Sequence, residues 1–531
     1  MQYLGQIKNK MKIKRSIVIY ILACAVYIFM IICKKNYHVD EIYTFGLSNF
    51  HGDSIIIDIE DGLKYSPAES IYVEYMSVHP DKRFDYKNVW VNQKRDVHPP
   101  LYYVLVHTIC SVVPGRVSVW FPGGINILFM LFTLYFFRKL LLYLGADDLI
   151  VLYASIFFVF NAAMLSILTF MRMYVMTMFF VTWITYLLLQ MVSGQVESVG
   201  KWLLICCVTV MGALTHYYFI VYLVLLCMVV GISFVFNKRW KALLQLSVLM
   251  MLSAAIAICI FPGMIDHIFM GYRGQESIEN LKQSNFTDYV ENIMFYFNIL
   301  NDTLMGGMLG YLLLTTVILV AAEIYFLKSK KNTIENAQRI RLNLMAGITV
   351  LLYFSMISKV VVYQSQRYIS PVYAVTIVIC MVTLANMVKL LEITEKKRRV
   401  LLSLVVAITL IAGWKYCKWE YLYTKSESML KTIEKHENLD CVYIYNENWR
   451  VQRSYQEIKK LKSVTFYREE NYTDVLESDI MNQKEIIVYI MDNCNADSIL
   501  NSIVKGSANF DNYKKLGGYG YSKTFLVYGE K

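Results

Sequence analysis

Charged residues are scarce in this sequence: only 18% of its 531 residues are Asp, Glu, Lys or Arg, whereas 56% are hydrophobic. A soluble globular protein is roughly 45–50% apolar, so the composition excludes that class. Apolar runs of about 18 to 25 residues recur, and each can cross a hydrocarbon core about 30 Å thick. The chain is therefore predicted to be a multi-pass protein of the plasma membrane.

Three further absences narrow the function. The eleven cysteines show no metal-ligand spacing, so most are packing residues, and whether Cys441 and Cys494 pair stays open. No internal repeat is visible, although transporters are often built from one. The net charge of +11 comes from short basic clusters between apolar runs, where Lys and Arg are topology signals, so no nucleic-acid partner is expected.

Eleven membrane spans are predicted. The first is interpreted as an uncleaved anchor, because its apolar run continues past Cys24 to Cys33. The spans lie near residues 16–33, 118–137, 149–168, 173–191, 202–215, 218–236, 242–262, 303–327, 342–362, 369–388 and 399–416.

The segment 101–113 is a twelfth apolar candidate, but its roughly 13 residues are too few for a crossing. If it lies along the outer surface, every basic cluster falls on the cytoplasmic side, as the positive-inside bias requires. Pro99 and Pro100 suit the first turn of such a surface helix. The clusters are Lys8 to Arg15, Arg138 and Lys139, Lys201, Lys238 to Lys241, Lys328 to Arg341, and Lys396 to Arg399.

This topology places the amino terminus in the cytoplasm and two long segments outside: the first loop, residues 34–117, and the tail, residues 417–531. The tail alternates strand-like stretches ("CVYIYN", "VTFYRE", "EIIVYIMD", "KTFLVYG") with helical ones ("WRVQRSYQEIKKLK", "NADSILNSIVKG"), which predicts a small α/β domain. Residues 1–416 form the predicted membrane domain. The polar loop 263–302 is predicted to be a lid.

Uncommon polar residues stand at the outer ends of the apolar segments: Asp40, Glu41, Asp96, His98, Arg172, His216, Lys359 and Arg367. A sugar linked through phosphate to an isoprenoid would place its cleavable bond at this depth. Its leaving phosphate needs nearby positive charge, and the acceptor hydroxyl needs a base. A glycosidase, in contrast, normally needs two carboxyl groups.

Structural interpretations stay open for each of these residues. Asp40 could be a solvated helix end, and Asp96 and His98 could merely cap the surface helix. Arg172 could anchor its span at the interface, and His216 could belong to an aromatic belt. An interfacial anchor is the commoner role of such an arginine, but the position of Arg172, opposite to the usual inside bias, gives weight to the role of phosphate ligand as well.

The motifs "HVDEIYT", "DVHPPLYYVLVH", "RMY", "THYYF" and "RYISPVY", in this order, resemble the bacterial GT-C class of membrane glycosyltransferases, specifically the family-39-like group with protein O-mannosyltransferases and the lipid A aminoarabinose transferase. The resemblance implies an all-α polytopic bundle with a surface-lying helix in its first loop. It also implies a polyprenyl-phosphate-linked sugar donor and a catalytic aspartate at Asp40, with Glu41 beside it.

The predicted function is transfer of a sugar from a polyprenyl phosphate to a glycan, lipid or protein acceptor outside the membrane. Asp40, Glu41 and Asp96 are the catalytic candidates. The substrate-binding candidates are His98, Arg172, Tyr174, His216, Lys359 and Arg367. A polysaccharide polymerase or ligase and a transporter or flippase of lipid-linked sugars are the alternatives.

One position departs from the family pattern. Many members have an acidic residue two positions before the Arg of "RMY", where this chain has Phe170. No cofactor is predicted firmly, and a divalent metal ion stays open. Asp40 and Asp96 are the candidate ligands if one is bound.

Overall fold

The computed structural model describes residues 2–196, 198–283, 285–314, 334–390 and 393–529. The chain divides into two compact units. The membrane unit comprises Met1–Ile32, Val97–Tyr102 and Gly123–Trp419, and the polar unit comprises Cys33–Asp96, Tyr103–Pro122 and Glu420–Lys531. The domain boundary predicted at residue 416 stays a prediction.

The α-helices are, in chain order, α1 (Gln2–Cys33), α2 (Val39–Asn49), α3 (Ser70–Met76), α4 (Tyr86–Arg95), α5 (Leu101–Val112), α6 (Trp120–Tyr143), α7 (Asp148–Phe160), α8 (Ala162–Leu168), α9 (Tyr174–Val192), α10 (Val199–Ala213), α11 (Tyr217–Phe236), α12 (Trp240–Ile260), α13 (Gly263–Phe269), α14 (Tyr272–Gln283), α15 (Phe286–Asn298), α16 (Ile334–Val360), α17 (Tyr373–Leu390), α18 (Glu395–Tyr416), α19 (Glu427–Glu434), α20 (Asn448–Val451), α21 (Tyr455–Ile458) and α22 (Ala496–Gly506).

Eight helices in the described part of the chain are long and apolar enough to cross a membrane. This confirms a polytopic α-helical membrane protein. The eight candidate spans are Lys14–Cys33, Trp120–Tyr143, Tyr174–Val192, Tyr217–Phe236, Trp240–Ile260, Gln338–Val360, Ser370–Lys389 and Glu395–Tyr416.

The three other predicted spans have separate explanations. The span near 149–168 is a pair of helices, α7 and α8, bent by 50°. Asn161 breaks this pair, because its side chain accepts hydrogen bonds from the amides of Ala163 and Met164 and so begins a new helix. Helix α10 has 15 residues and rises only about 22 Å. Residues 315–327 of the span near 303–327 lie outside the described residues, as do Lys328, Lys330 and Lys331 of the basic clusters.

The predicted lid, residues 263–302, is largely helical. It contains α13, α14 and α15, and a π-helical turn, Ile299–Leu304, follows. Whether these helices move as a lid stays a prediction.

The polar unit contains the helices of the first loop and a mixed sheet. Helix α5 begins directly after Pro100 and has 12 residues, so it rises about 18 Å, less than the thickness of a hydrocarbon core. This length agrees with a helix that lies along the surface. Helix α4 contacts α2, where the Asn92 side chain donates a hydrogen bond to the carbonyl oxygen of Leu47 at 3.3 Å.

Six strands form the sheet that is described in the polar unit. They are β1 (Lys64–Tyr65), β2 (Asp440–Tyr445), β3 (Ser463–Arg468), β4 (Glu485–Met491), β5 (Asn512–Tyr519) and β6 (Ser522–Tyr528), in the spatial order β1-β3-β2-β4-β6-β5. Strand β2 pairs in parallel with β3 and β4, and the other pairs are antiparallel. The α/β character predicted for the tail is therefore confirmed. The first loop supplies the edge strand β1. Cys441 and Cys494 are buried and unpaired.

Candidate functional site

A cluster of cationic and aromatic side chains lies in the membrane unit, at one end of several apolar helices. Arg172 occupies the turn between α8 and α9 and is 4% exposed. Its Nη2 atom lies 3.3 Å from Nε2 of His98. Two predicted residues that are 74 positions apart in the sequence therefore meet.

His216 joins this cluster from the start of α11. Its Nδ1 atom accepts a hydrogen bond from the amide of Tyr218 at 3.0 Å, so the ring caps the helix. The ring centroid lies 5.1 Å from that of Tyr174 and 5.8 Å from that of His98. Burial holds the pKa of His216 well below its usual value, and the electrostatic influence of His98, Arg172 and Arg367 adds to this effect. The environment of His216 thus favours its neutral form beside two arginines.

Arg367 completes the cluster from the short 3-10 turn Gln366–Tyr368. Its guanidinium donates hydrogen bonds to the hydroxyls of Tyr363 and Tyr368. It also lies 5.7 Å from the ring centroid of Phe170, and Phe170 stacks on Tyr174 with centroids 5.7 Å apart. The residue that departs from the family pattern therefore places an aromatic face against the guanidinium, where cation–π attraction favours the positive charge.

This arrangement suits an anion with several oxygen atoms. Arg172 and Arg367 are both nearly buried, and guanidinium groups bind phosphate through charge-assisted hydrogen bonds that strengthen where water is excluded. The two histidines and the tyrosine hydroxyls supply further polar contacts. Of the predicted binding residues, the structure brings together His98, Arg172, Tyr174, His216 and Arg367.

Lys359 makes a different contact. Its ammonium lies 5.5 Å from the ring centroid of Tyr289, a residue of α15. The role predicted for Lys359 in substrate binding stays a prediction.

Sequence reasoning missed three residues around Arg367. Tyr363 and Tyr368 receive its hydrogen bonds, and Arg273 of α14 lies 5.6 Å from the ring centroid of Tyr363. Tyr363 and Tyr368 did not stand out, because the chain contains 41 tyrosines. Arg273 lies in the predicted lid. A charged residue is ordinary in such a polar loop, so its presence there does not indicate a binding site.

The predicted carboxylates lie in the polar unit. Asp40 is the second residue of α2, and its side chain is 23% exposed. The helix begins with a capping box: Nδ1 of His38 accepts the Asp40 amide hydrogen at 3.0 Å, and Oε2 of Glu41 accepts the His38 amide hydrogen at 2.6 Å. The sequence thus fixes Asp40 in the first turn, where the helix dipole favours a carboxylate.

Glu41 also forms a buried ion pair. Its Oε1 atom lies 3.0 Å from Nζ of Lys34, and both side chains are fully buried. Both carboxylate oxygens of Glu41 are therefore engaged by groups of the protein itself. This favours a positioning role over direct participation in the reaction. The catalytic role predicted for Glu41 stays a prediction.

Asp96 ends a helix instead of beginning one. It is the C-cap of α4, and its amide donates to the carbonyl oxygens of Asn92 and Gln93. Helix α5 begins five residues later, at Leu101, whose amide donates to the carbonyl oxygen of Leu214 at 3.0 Å. Asp96 therefore does not occupy the N-cap position of α5, and its predicted catalytic role stays a prediction.

No group of three His, Cys, Asp or Glu side chains that could hold a metal ion is found among the residues the structure describes. Metal binding by Asp40 and Asp96 stays a prediction.

Comparison with known proteins shows similarity in structure but not in sequence. No family model matches the chain, and no curated protein matches it. The crystal structure of ArnT from Cupriavidus metallidurans bound to undecaprenyl phosphate matches with a TM-score of 0.53 at 10% identity, covering 96% of this chain and 97% of that one. The apo state of the same protein gives 0.52 at 10% identity, with the same coverage.

The archaeal oligosaccharyltransferase AglB from Archaeoglobus fulgidus, in complex with an inhibitory peptide and a dolichol-phosphate, gives a TM-score of 0.44 at 10% identity, covering 97% of this chain and 74% of that one. The likeness to ArnT shows a shared fold over nearly the whole chain. The predicted all-α polytopic bundle is confirmed as a fold that this chain shares with ArnT.

Proposed function

We propose that this protein is a membrane glycosyltransferase that moves a sugar from a polyprenyl phosphate to an acceptor hydroxyl on the outer side of the plasma membrane. One observation carries the proposal: Arg172 and Arg367 converge with His98 and His216 at one end of the apolar helices. The fold supports it, because the ArnT structure that shares this fold holds undecaprenyl phosphate.

A lipid phosphate fits both the chemistry and the depth of the cluster. Its isoprenoid chain would lie among apolar helices, and its charged group would meet the two guanidinium groups at their ends. A free sugar nucleotide has no apolar chain that could pack against these apolar helices. The proposed donor is therefore a sugar on a polyprenyl phosphate.

The proposed reaction needs one base and one anion-binding group. The acceptor oxygen attacks the anomeric carbon, the bond from this carbon to the phosphate oxygen breaks, and the polyprenyl phosphate leaves with the electron pair. Asp40 accepts the proton of the acceptor hydroxyl. Arg172 and Arg367 stabilise the charge that grows on the phosphate, and preorganised groups of this kind contribute strongly to catalysis.

The other predicted residues take supporting roles in this scheme. His98 orients Arg172 through their 3.3 Å contact, and Tyr174 and His216 line the same cluster. Asp96 orients the acceptor or assists its binding.

The orientation in the membrane is part of the proposal. Helix α11 begins at the cluster with His216 and ends at Asn237, whose side chain accepts a hydrogen bond from Arg341 at 3.2 Å. These two ends are about 30 Å apart along a helix of 20 residues. Because Arg341 belongs to the basic clusters, the positive-inside bias puts it in the cytoplasm and the cluster outside.

The test is a transfer assay in membranes that contain the full-length protein. Radiolabelled sugars on undecaprenyl phosphate are offered one by one, and label is followed from the lipid to a glycan, lipid or protein. We expect one donor to lose its label in the wild-type protein and to keep it in Asp40→Asn.

Three outcomes would overturn the proposal in different ways. Transfer only from oligosaccharides on diphosphate would indicate a polymerase or ligase. Movement of the intact lipid-linked sugar across the membrane without transfer would indicate a flippase. Full activity in Asp40→Asn would remove Asp40 from the role of base.

A further inference from the structure

The chain just before Asp40 is held by the carboxyl-terminal segment of the same polar unit. Residues 34–38 link the end of α1 to the start of α2. The amide of Lys35 donates to the carbonyl oxygen of Leu422 at 2.8 Å, and Nζ of Lys34 donates to that of Tyr421 at 2.7 Å. Residues nearly 400 positions later thus fix this linker.

Arg453 adds a second attachment. Its Nη1 atom donates to the carbonyl oxygen of Tyr37, a residue 416 positions earlier. The guanidinium lies 4.2 Å from the ring centroid of Tyr423 and 4.9 Å from that of Tyr519, so two aromatic faces hold it in place. Tyr37 immediately precedes His38, the cap of the helix that carries Asp40.

Lys34 connects this attachment to the capping box itself. Its ammonium lies 5.2 Å from the ring centroid of Tyr423 and 3.0 Å from Oε1 of Glu41. The other Glu41 oxygen accepts the His38 amide hydrogen. A continuous set of contacts therefore runs from Arg453 through Tyr423, Lys34 and Glu41 to the first turn of α2.

The buried ion pair of Lys34 and Glu41 has a desolvation cost that a purely structural contact could avoid. A buried ion pair is desolvated, and apolar side chains of similar size often stabilise a fold as well or better. A charged pair does fix the orientation of the side chains that form it, since each group accepts few geometries. Displacement of a reacting group by about 1 Å can slow a reaction about 10²-fold. The orientation of the proposed base, Asp40, should therefore affect the rate.

We propose that Arg453, Lys34 and Glu41 are positioning residues for the Asp40 carboxylate, and that the carboxyl-terminal segment, residues 420–531, is part of the catalytic apparatus and not an appended domain. This role rests on the proposed function, in which Asp40 is the base. It assigns a catalytic task to a segment that the sequence identified only as a small α/β domain.

The experiment compares Arg453→Met with Arg450→Met in the full-length protein. Arg450 is a matched control: it lies three residues earlier, over the rings of Trp449 and Tyr521, and pairs with Glu447 at 2.8 Å. Binding sites are counted with radiolabelled undecaprenyl phosphate, and turnover is measured per binding site with the donor that the wild-type protein uses.

We expect Arg453→Met to lower the turnover per binding site by about 10- to 100-fold, with unchanged affinity for undecaprenyl phosphate. Arg453→Lys, which keeps one donor and the charge, should recover part of the loss, and Arg450→Met should match the wild type. The double variant Lys34→Met with Glu41→Gln keeps the capping oxygen and removes the pair, so it should also lose turnover per site.

A purely structural role would reduce the number of binding sites and leave the turnover of each one intact. That result, or wild-type turnover in both Arg453→Met and the double variant, would overturn the positioning role. Failure of the wild-type protein to transfer any sugar would instead refute the proposed function, so the two failures are distinguishable.

Discussion

Nη2 of Arg172 lies 3.3 Å from Nε2 of His98. Arg172 lies in the turn between α8 and α9, and His98 directly precedes the two prolines of "DVHPP". This contact brings two of the sequence motifs together in one cluster of buried cationic and aromatic side chains.

The guanidinium of Arg172 is expected to be essential for turnover. Arg172→Gln removes a positive charge beside the leaving phosphate of the proposed donor. Loss of one such group costs about 10²- to 10³-fold in rate. The measurement is turnover in the transfer assay. Arg341→Gln is the control, because Arg341 bonds Ser233 and Asn237 at the other end of α11; equal losses in both variants would argue against a specific role.

Phe170 is expected to keep Arg367 available for the donor. Phe170→Glu would place a carboxylate beside the guanidinium, which now lies 5.7 Å from the Phe170 ring centroid. The new ion pair should weaken binding of undecaprenyl phosphate by about tenfold, or about 1.4 kcal/mol. Phe170→Leu loses only the cation–π contact, so its effect should be smaller, about 0.5–1 kcal/mol. Tighter binding by Phe170→Glu would contradict this explanation.

The buried partner of Glu41 is expected to matter for stability. Lys34→Met leaves the Glu41 carboxylate buried without its cation, which typically costs about 3–5 kcal/mol in the free energy of unfolding. Lys35→Met is the neighbouring control: Lys35 and Glu427 form an exposed pair at 3.7 Å, worth at most about 1 kcal/mol. Thermal unfolding in detergent compares the two, and equal melting temperatures would disprove the prediction.

Glu457 is expected to make the polar unit less stable as the pH rises. Burial raises the pKa of this carboxyl to about 8, against the opposing charge of Arg453. The folded state therefore binds a proton that the unfolded state releases near its ordinary pKa of about 4.3, so the free energy of unfolding falls between these two values.

Glu457→Gln removes the titrating group with little change of shape. The variant should be more stable than the wild type at pH 9 and should lose the dependence on pH between about 5 and 8. Thermal unfolding at several pH values provides the measurement. An unchanged slope in the variant would assign the dependence to another group.

Much of the architecture could be predicted because its signals are local. Apolar runs identified the spans, and alternating β-branched and aromatic residues identified β2, β3, β4 and β6. Strand β5, "NYKKLGGY", was missed because its lysines and glycines give no alternation and it forms a sheet edge. Strand β1 has two residues and exists through its pairing with β3, almost 400 positions away.

The sequence by itself determined that this chain is a membrane-embedded helical bundle with polar residues at the helix ends, since hydropathy and charge bias act residue by residue along the chain. Only the tertiary structure decided which of those polar residues meet. The cluster of Arg172 with His98, and the attachment of Arg453 to the linker before Asp40, depend on packing between distant segments. No local pattern encodes such a pairing, because its energy comes from the environment that the whole fold creates.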